Sequence, residues 1–275
     1  MVNWKSKYLK YKLKYQQLLK HKGGSDPVAP MYSYWDTEEN IIKRNIKRNI
    51  TLYIDNINKE MGAECLKLAF LDETLLDEYN NTLSKHNNKI ESIPEDKQDE
   101  MAADFNEWCL KNMFNSDYEI NVIPTHLHQP NIEYQINPYS GKPHREFTKG
   151  KDYGNPHYNV LAYLQISNCS NLSKAGTGLI YPTSTGECKI KILPIIPGMV
   201  IAIRDKCFYH FTPPAISFID SEICMRRTLF RCFIDKIGDT IEPDIVNLKK
   251  CLKNYTYLDD EEEPVIKSEF IKELQ

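Results

Sequence analysis

PGMVIAIRDKCFYHFTPP (residues 197–214) decides how this chain folds. A Pro197-Gly198 turn launches the apolar run from Met199, which ends at Arg204 and reads as a β-strand, and His210 follows between Tyr209 and Phe211. Upstream, KPHREF (residues 142–147) reads as extended backbone, which puts positions 144 and 146 on one face. The imidazole of His144 and the carboxylate of Glu146 then converge on a single ion, with His210 as third ligand from a neighbouring strand. Two histidines and one carboxylate leave three positions of an octahedral ion open for oxygen and a chelating co-substrate, the ligand set of a non-haem iron site. Downstream, Arg226-Arg227-Thr228 opens the last core strand. Arg226 and Thr228 share a face there, so a guanidinium and a hydroxyl can hold the far carboxylate of a dicarboxylic acid. By the same alternation Arg227 points away and reads as a surface or sheet-edge charge.

Short strands bounded by Pro, Gly and Asn surround these stretches: Tyr118–Ile123, Ile132–Asn137, Asn159–Ser167, Gly178–Pro182, Lys189–Ile195, Met199–Arg204 and Arg227–Asp235. The preceding region, 37–116, has a helical pattern, with Ile41, Ile42, Ile46 and Ile50 on one face and Met101, Phe105, Trp108 and Met113 on another. Residues 238–275 return to helix around an acidic 259–263 run. Residues 1–24 are lysine- and tyrosine-rich and read as a basic amphipathic leader, followed by a 25–36 linker. The leader either packs as an ordinary helix or contacts an acidic surface. The order gives an α+β chain: a β-sandwich or jelly-roll core over 117–237 with N-terminal and C-terminal helices packed around it.

The stretch from Tyr134 to Asp235 resembles the catalytic domain of the Fe(II)/2-oxoglutarate-dependent dioxygenases, in the branch that includes prolyl hydroxylases. Tyr134 through Gly141 to His144-Arg145-Glu146 is similar to that family's Tyr/Gly segment leading into its H-x-D/E pair. Tyr158 to Gln165 resembles the apolar strand that follows, and Gly176 to Pro182 its Gly-rich turn and strand. Pro197 to Asp205, His210 and Pro213 resemble the strand carrying the distal histidine, and Arg226-x-Thr228 the Arg-x-Ser pair. The resemblance implies a double-stranded β-helix (jelly roll) in which His144, Glu146 and His210 bind Fe(II) and Arg226, Thr228 and Tyr139 bind 2-oxoglutarate. It further implies an O2-dependent hydroxylase acting on a peptidyl side chain or small molecule and releasing succinate. Glu146 stands where most members have Asp, and the His210–Arg226 connection is longer than usual. The leader resembles lysine/tyrosine-rich leaders of giant DNA viruses of the mimivirus type.

Two other uses of these residues are open. His126-Leu127-His128, with Glu133 and Gly141 downstream, is similar to the first cupin motif and would put a metal on His126, His128, Glu133 and His210, although the second motif is missing. A jelly roll that forms part of a viral particle or binds a partner needs no chemistry at all. His157 reads as a loop residue near enough to serve as a substitute ligand, and Tyr153, Tyr158 and Tyr181 as core or pocket lining. The formal net charge of −3 gives no global attraction to nucleic acid. No apolar run reaches the roughly 20 residues of a membrane helix, so a soluble protein is expected. The eight cysteines lack a C-x-x-C pair and read as reduced thiols in a reducing compartment, host cytoplasm or virion.

Overall fold

The computed structural model describes residues 38–121, 124–128, 142–145, 157–167, 176–212, 226–238, 245–258, 264–267 and 270. The leader, the linker and the acidic 259–263 run lie outside the described residues. The chain divides into two units, Met1–Ile46 and Lys47–Gln275. Within the first, the described residues are the opening turns of helix α1 (Glu38–Met61). All that follows concerns the second.

Helices and antiparallel sheets are mixed. The larger sheet runs β1 (Leu66–Phe70), β7 (Met199–Arg204), β4 (Tyr158–Ser167), β9 (Arg226–Lys236), β2 (Tyr118–Ile120), with β3 (His126–His128) also paired to β9. The smaller sheet is β6 (Cys188–Leu193), β5 (Thr177–Pro182), β8 (Tyr209–Phe211). β1 falls inside the stretch that reads as helical. Its apolar residues are too few to show a period, and its place is fixed from outside. Gly62, at φ +69°, ends α1 in the left-handed conformation. The Asn58 side chain then accepts from the amides of Cys65 and Leu66, each at 2.9 Å, and aims the chain along β7.

Alternation along the strands sorts the core into layers. Tyr158, Val160, Ala162 and Leu164 of β4, Val200 and Ala202 of β7, and Phe230, Cys232 and Ile234 of β9 pack against α2 (Glu73–Lys85) and α3 (Glu95–Met113). Leu161 and Tyr163, Met199, Ile201 and Ile203, and Leu229 turn the other way, toward Leu179 and Tyr181 of the smaller sheet and the second half of α1. The far side of the smaller sheet is closed by α4 (Leu248–Tyr255), through Cys251 and Leu252 against Ile180 and Phe211. β4 and β7 therefore read as continuous apolar runs because both faces are buried. The C-terminal region, expected to be helical, also holds a small hairpin of β10 (Thr256–Leu258) and β11 (Pro264–Ile266).

Gly178 faces Phe211 across β5 and β8, and a Cβ there would lie 2.2 Å from the ring. Gly178→Ala must therefore push Phe211 out of its place. A loss of roughly 1–3 kcal/mol is expected in urea unfolding; unchanged stability would show that the ring moves at no cost.

Four of the eight cysteines depart from the expectation of reduced thiols: Cys65–Cys207 and Cys188–Cys251 are disulfides. The pairing of β1 with β7 brings Cys65 beside Cys207, and the seat of α4 on the smaller sheet brings Cys251 beside Cys188. Neither proximity is visible in local spacing. Cys109 and Cys232 are buried free thiols, and Cys169 and Cys224 lie outside the described residues. Among the described residues no helix is long and apolar enough to cross a membrane.

Candidate metal centre

β7 delivers the chain to the crossover between sheets. A 3-10 turn, Asp205–Cys207, redirects it into β8, where His210 pairs with Leu179 and so faces the interior between the sheets. On the other side of β8, His144 meets His210 in an isolated antiparallel bridge. The two residues exchange both backbone hydrogen bonds, His144 N–H to the His210 carbonyl at 2.9 Å and His210 N–H to the His144 carbonyl at 3.0 Å. A hydrogen-bonded antiparallel pair puts its side chains on one face, and the ring centroids lie 4.5 Å apart. Two residues distant in sequence thus present their imidazoles side by side.

His144 Nδ1 donates to the Lys142 carbonyl at 2.8 Å. A carbonyl only accepts, so the proton sits on Nδ1 and the Nε2 lone pair is left for an ion. Desolvation lowers the His144 pKa and Arg231 adds to the effect, while the Lys142 carbonyl and Asp205 oppose it. The net direction favours the neutral ring, the form that binds metal. Asp205 lies close enough to feel both imidazoles and Arg145; burial raises its pKa and those groups pull it back. Arg145 Nε is 3.4 Å from Asp205 Oδ2 and donates to the Asp205 carbonyl at 3.1 Å.

The larger sheet supplies Arg231. Its register partners are His126 on β3 and Leu161 on β4, and its parity on β9 is that of Leu229 and Phe233. It therefore lies on the sheet face turned to the smaller sheet, with its guanidinium 5.3 Å from the Phe233 ring and its pKa lowered to about 10 by burial. Asn159 is buried on the same face, paired with Phe233 and Ile203.

The expected site residues fare differently. His144 and His210 come together. Glu146 and Tyr139 lie outside the described residues, and among the described ones no group of three His, Cys, Asp or Glu is placed to hold a metal. Arg226 pairs with Ser167 in the backbone register, and its side chain lies outside the described residues. Thr228 is buried and has the parity on β9 of Phe230 and Cys232, which pack against the helices.

Arg231 and Asn159 were missed because an arginine and an asparagine inside strands carry no motif. The clue is a cation, three residues past Thr228, inside the apolar stretch from Leu229 to Ile234. His126 and His128 form β3 and are exposed, with Arg231 directly across from His126. Desolvation first, and then Arg231, lower the His126 pKa although the Pro124 carbonyl opposes this. A guanidinium in that position disfavours a second cation, so the cupin-like alternative gains nothing. His157 packs against Tyr118 and Tyr158 with ring centroids 5.9 and 5.7 Å away, and Tyr181 donates to Glu60 at 2.7 Å. These contacts account for them structurally, and Tyr153 lies outside the described residues.

No family model matches the sequence, and no curated protein matches it. Solved structures offer distant likenesses. A prolyl-4-hydroxylase from Pseudomonas putida is 12% identical, with a TM-score of 0.38, over 68% of this chain and 99% of that one. HygX from Streptomyces hygroscopicus with iron bound is 8% identical, with a TM-score of 0.40, over 72% and 93%. A prolyl 4-hydroxylase from Phytophthora capsici is 11% identical, with a TM-score of 0.37, over 82% and 76%.

Proposed function

We propose that the protein is an Fe(II)- and 2-oxoglutarate-dependent oxygenase built on a double-stranded β-helix, hydroxylating a peptidyl side chain or a small molecule. The observation that carries this reading is the His144–His210 pair: two imidazoles on one face, one with its tautomer fixed for ligation. Two imidazoles fit a divalent ion, and Glu146, two residues beyond His144 in sequence, is the carboxylate that this reading adds to them. The order of strands supports the fold. From β3 to β9 the chain visits the larger sheet, the smaller at His144, the larger at β4, the smaller at β5 and β6, then larger, smaller, larger. Such repeated crossing is what a jelly roll requires.

Iron(II) and 2-oxoglutarate, when bound, supply O2-dependent decarboxylation to succinate coupled to hydroxylation of the substrate. The chain's own residues bind and orient. His144, Glu146 and His210 would hold the ion. Arg231 takes the part first read for Arg226: a permanent cation, poorly hydrated in its buried setting, that pairs with the far carboxylate of the co-substrate. Tyr139 would be a second contact to that carboxylate. Leu161, Leu179 and Leu229 are among the apolar residues packed between the sheets on the side of His210.

Anaerobic titration with Fe(II) and then 2-oxoglutarate tests the reading through the visible charge-transfer band of the chelate. The wild type is expected to bind one iron and to develop the band as 2-oxoglutarate is added. Arg231→Ala should retain the iron but need about tenfold or more 2-oxoglutarate, since a charge-assisted pair is worth roughly 1.5–3 kcal/mol. Arg226→Ala should titrate as wild type. Failure of the wild type to bind iron would end the proposal, and an exchange of the two arginine results would return the carboxylate site to Arg226.

A further inference from the structure

We infer that Arg145 and Asp205 form a positioning clamp that sets the separation of the two imidazoles; the inference rests on the metal-binding reading of His144 and His210. The pair sits where the site needs support. His144 and His210 meet through a bridge of one residue pair, not a ladder. Among the described residues no neighbouring rung defines its register. Arg145 is the next residue after His144, and Asp205 opens the 3-10 turn that carries the chain into β8 and His210. Their contact therefore ties the backbone beside one imidazole to the backbone that delivers the other.

The contact has two parts. Arg145 Nε lies 3.4 Å from Asp205 Oδ2, and the same nitrogen donates to the Asp205 carbonyl at 3.1 Å. The side chains are 12% and 4% exposed, so little water competes. Asp205 is itself anchored, its amide donating to the His157 carbonyl at the start of β4 at 3.3 Å. A buried ion pair adds little net stability because desolvation offsets the attraction, and its best-attested use is to fix register. Register is what the lone bridge lacks. An arginine suits the task better than lysine, because its planar guanidinium is held in a fixed orientation and stays charged when buried. The clamp touches neither ion nor substrate and acts only through the spacing of His144 and His210.

Titration of the full-length protein with Co(II) under anaerobic conditions, with the ligand-field spectrum and the thermal melt recorded for each variant, tests the clamp. His210→Ala serves as the control for the metal reading. Arg145→Ala and Asp205→Asn are each expected to weaken Co(II) binding about tenfold or more, in the range seen when groups supporting metal ligands are removed. The double variant should be no weaker than the worse single one, because either change opens the same clamp. Arg145→Lys, which keeps the charge and bulk, should recover part of the affinity. Wild-type Co(II) affinity in Arg145→Ala and Asp205→Asn, with only the melting temperature lowered, would reduce the pair to a structural role and overturn the inference. Failure of the wild type to bind Co(II), or undiminished binding in His210→Ala, would instead overturn the metal reading and the clamp with it. Arg145→Lys and Asp205→Asn, close in shape to the originals, keep the test decisive should Arg145→Ala not fold.

Discussion

His210→Ala is expected to leave a folded protein that no longer retains a divalent ion, with affinity lower by about a hundredfold or more. One of the two imidazoles proposed to hold the ion disappears, and the remaining described partner is a single neutral ring. The fold should survive. The bridge to His144 and the pairing with β5 are made by backbone atoms, which the substitution leaves in place. His144→Ala should produce the same loss at less structural cost, because His144 keeps exposed surface while His210 is 6% exposed. Metal content after dialysis, read beside the circular dichroism spectrum, decides the matter. Stoichiometric metal in both variants would remove these residues from the site.

Phe230→Ala should be among the most damaging single changes to the core, at about 3–5 kcal/mol. The ring stacks on Phe105 at 4.9 Å and 12° and meets Tyr79 edge-on at 5.0 Å. It thus joins α3 and α2 to the centre of the larger sheet, with no exposed surface. The neighbouring rings are held by their own elements and cannot fill the space. In a chain of this size the melting temperature should fall by roughly 10 °C. A cost below about 1 kcal/mol would mean that the helices pack on the sheet independently of this ring.

The strands of the second half were legible in the sequence, because β4, β5 and β7 are largely apolar runs, β6 alternates apolar residues with lysine, and β9 carries the apolar stretch around Phe230. The nearness of His144 and His210 was expected for a different reason: their residue types suit a shared ion, and the structure shows the two rings side by side. What stayed hidden depends on register. β1 is five residues long and takes its identity from β7 and from the Asn58 side chain. The faces of Thr228 and Arg231 are set by which parity of β9 meets the helices, and only Phe230 lying against Phe105 and Tyr79 reveals that. In β4, an irregularity between Tyr163 and Gln165 shifts the phase again, so even a correct count from one end fails at the other. The disulfides are hidden in the same way, through contacts between elements far apart in the chain.

Those two disulfides overlap. One closes the chain from Cys65 to Cys207 and the other from Cys188 to Cys251, so the 188–207 stretch belongs to both rings. Together they enclose every residue from 65 to 251 in linked covalent circuits. A protease that cuts once anywhere in that span opens a ring without releasing a fragment. On a non-reducing gel the nicked chain would still migrate as one molecule, and His144 and His210 would stay tethered to the same body after the cut. Only reduction would let the pieces part.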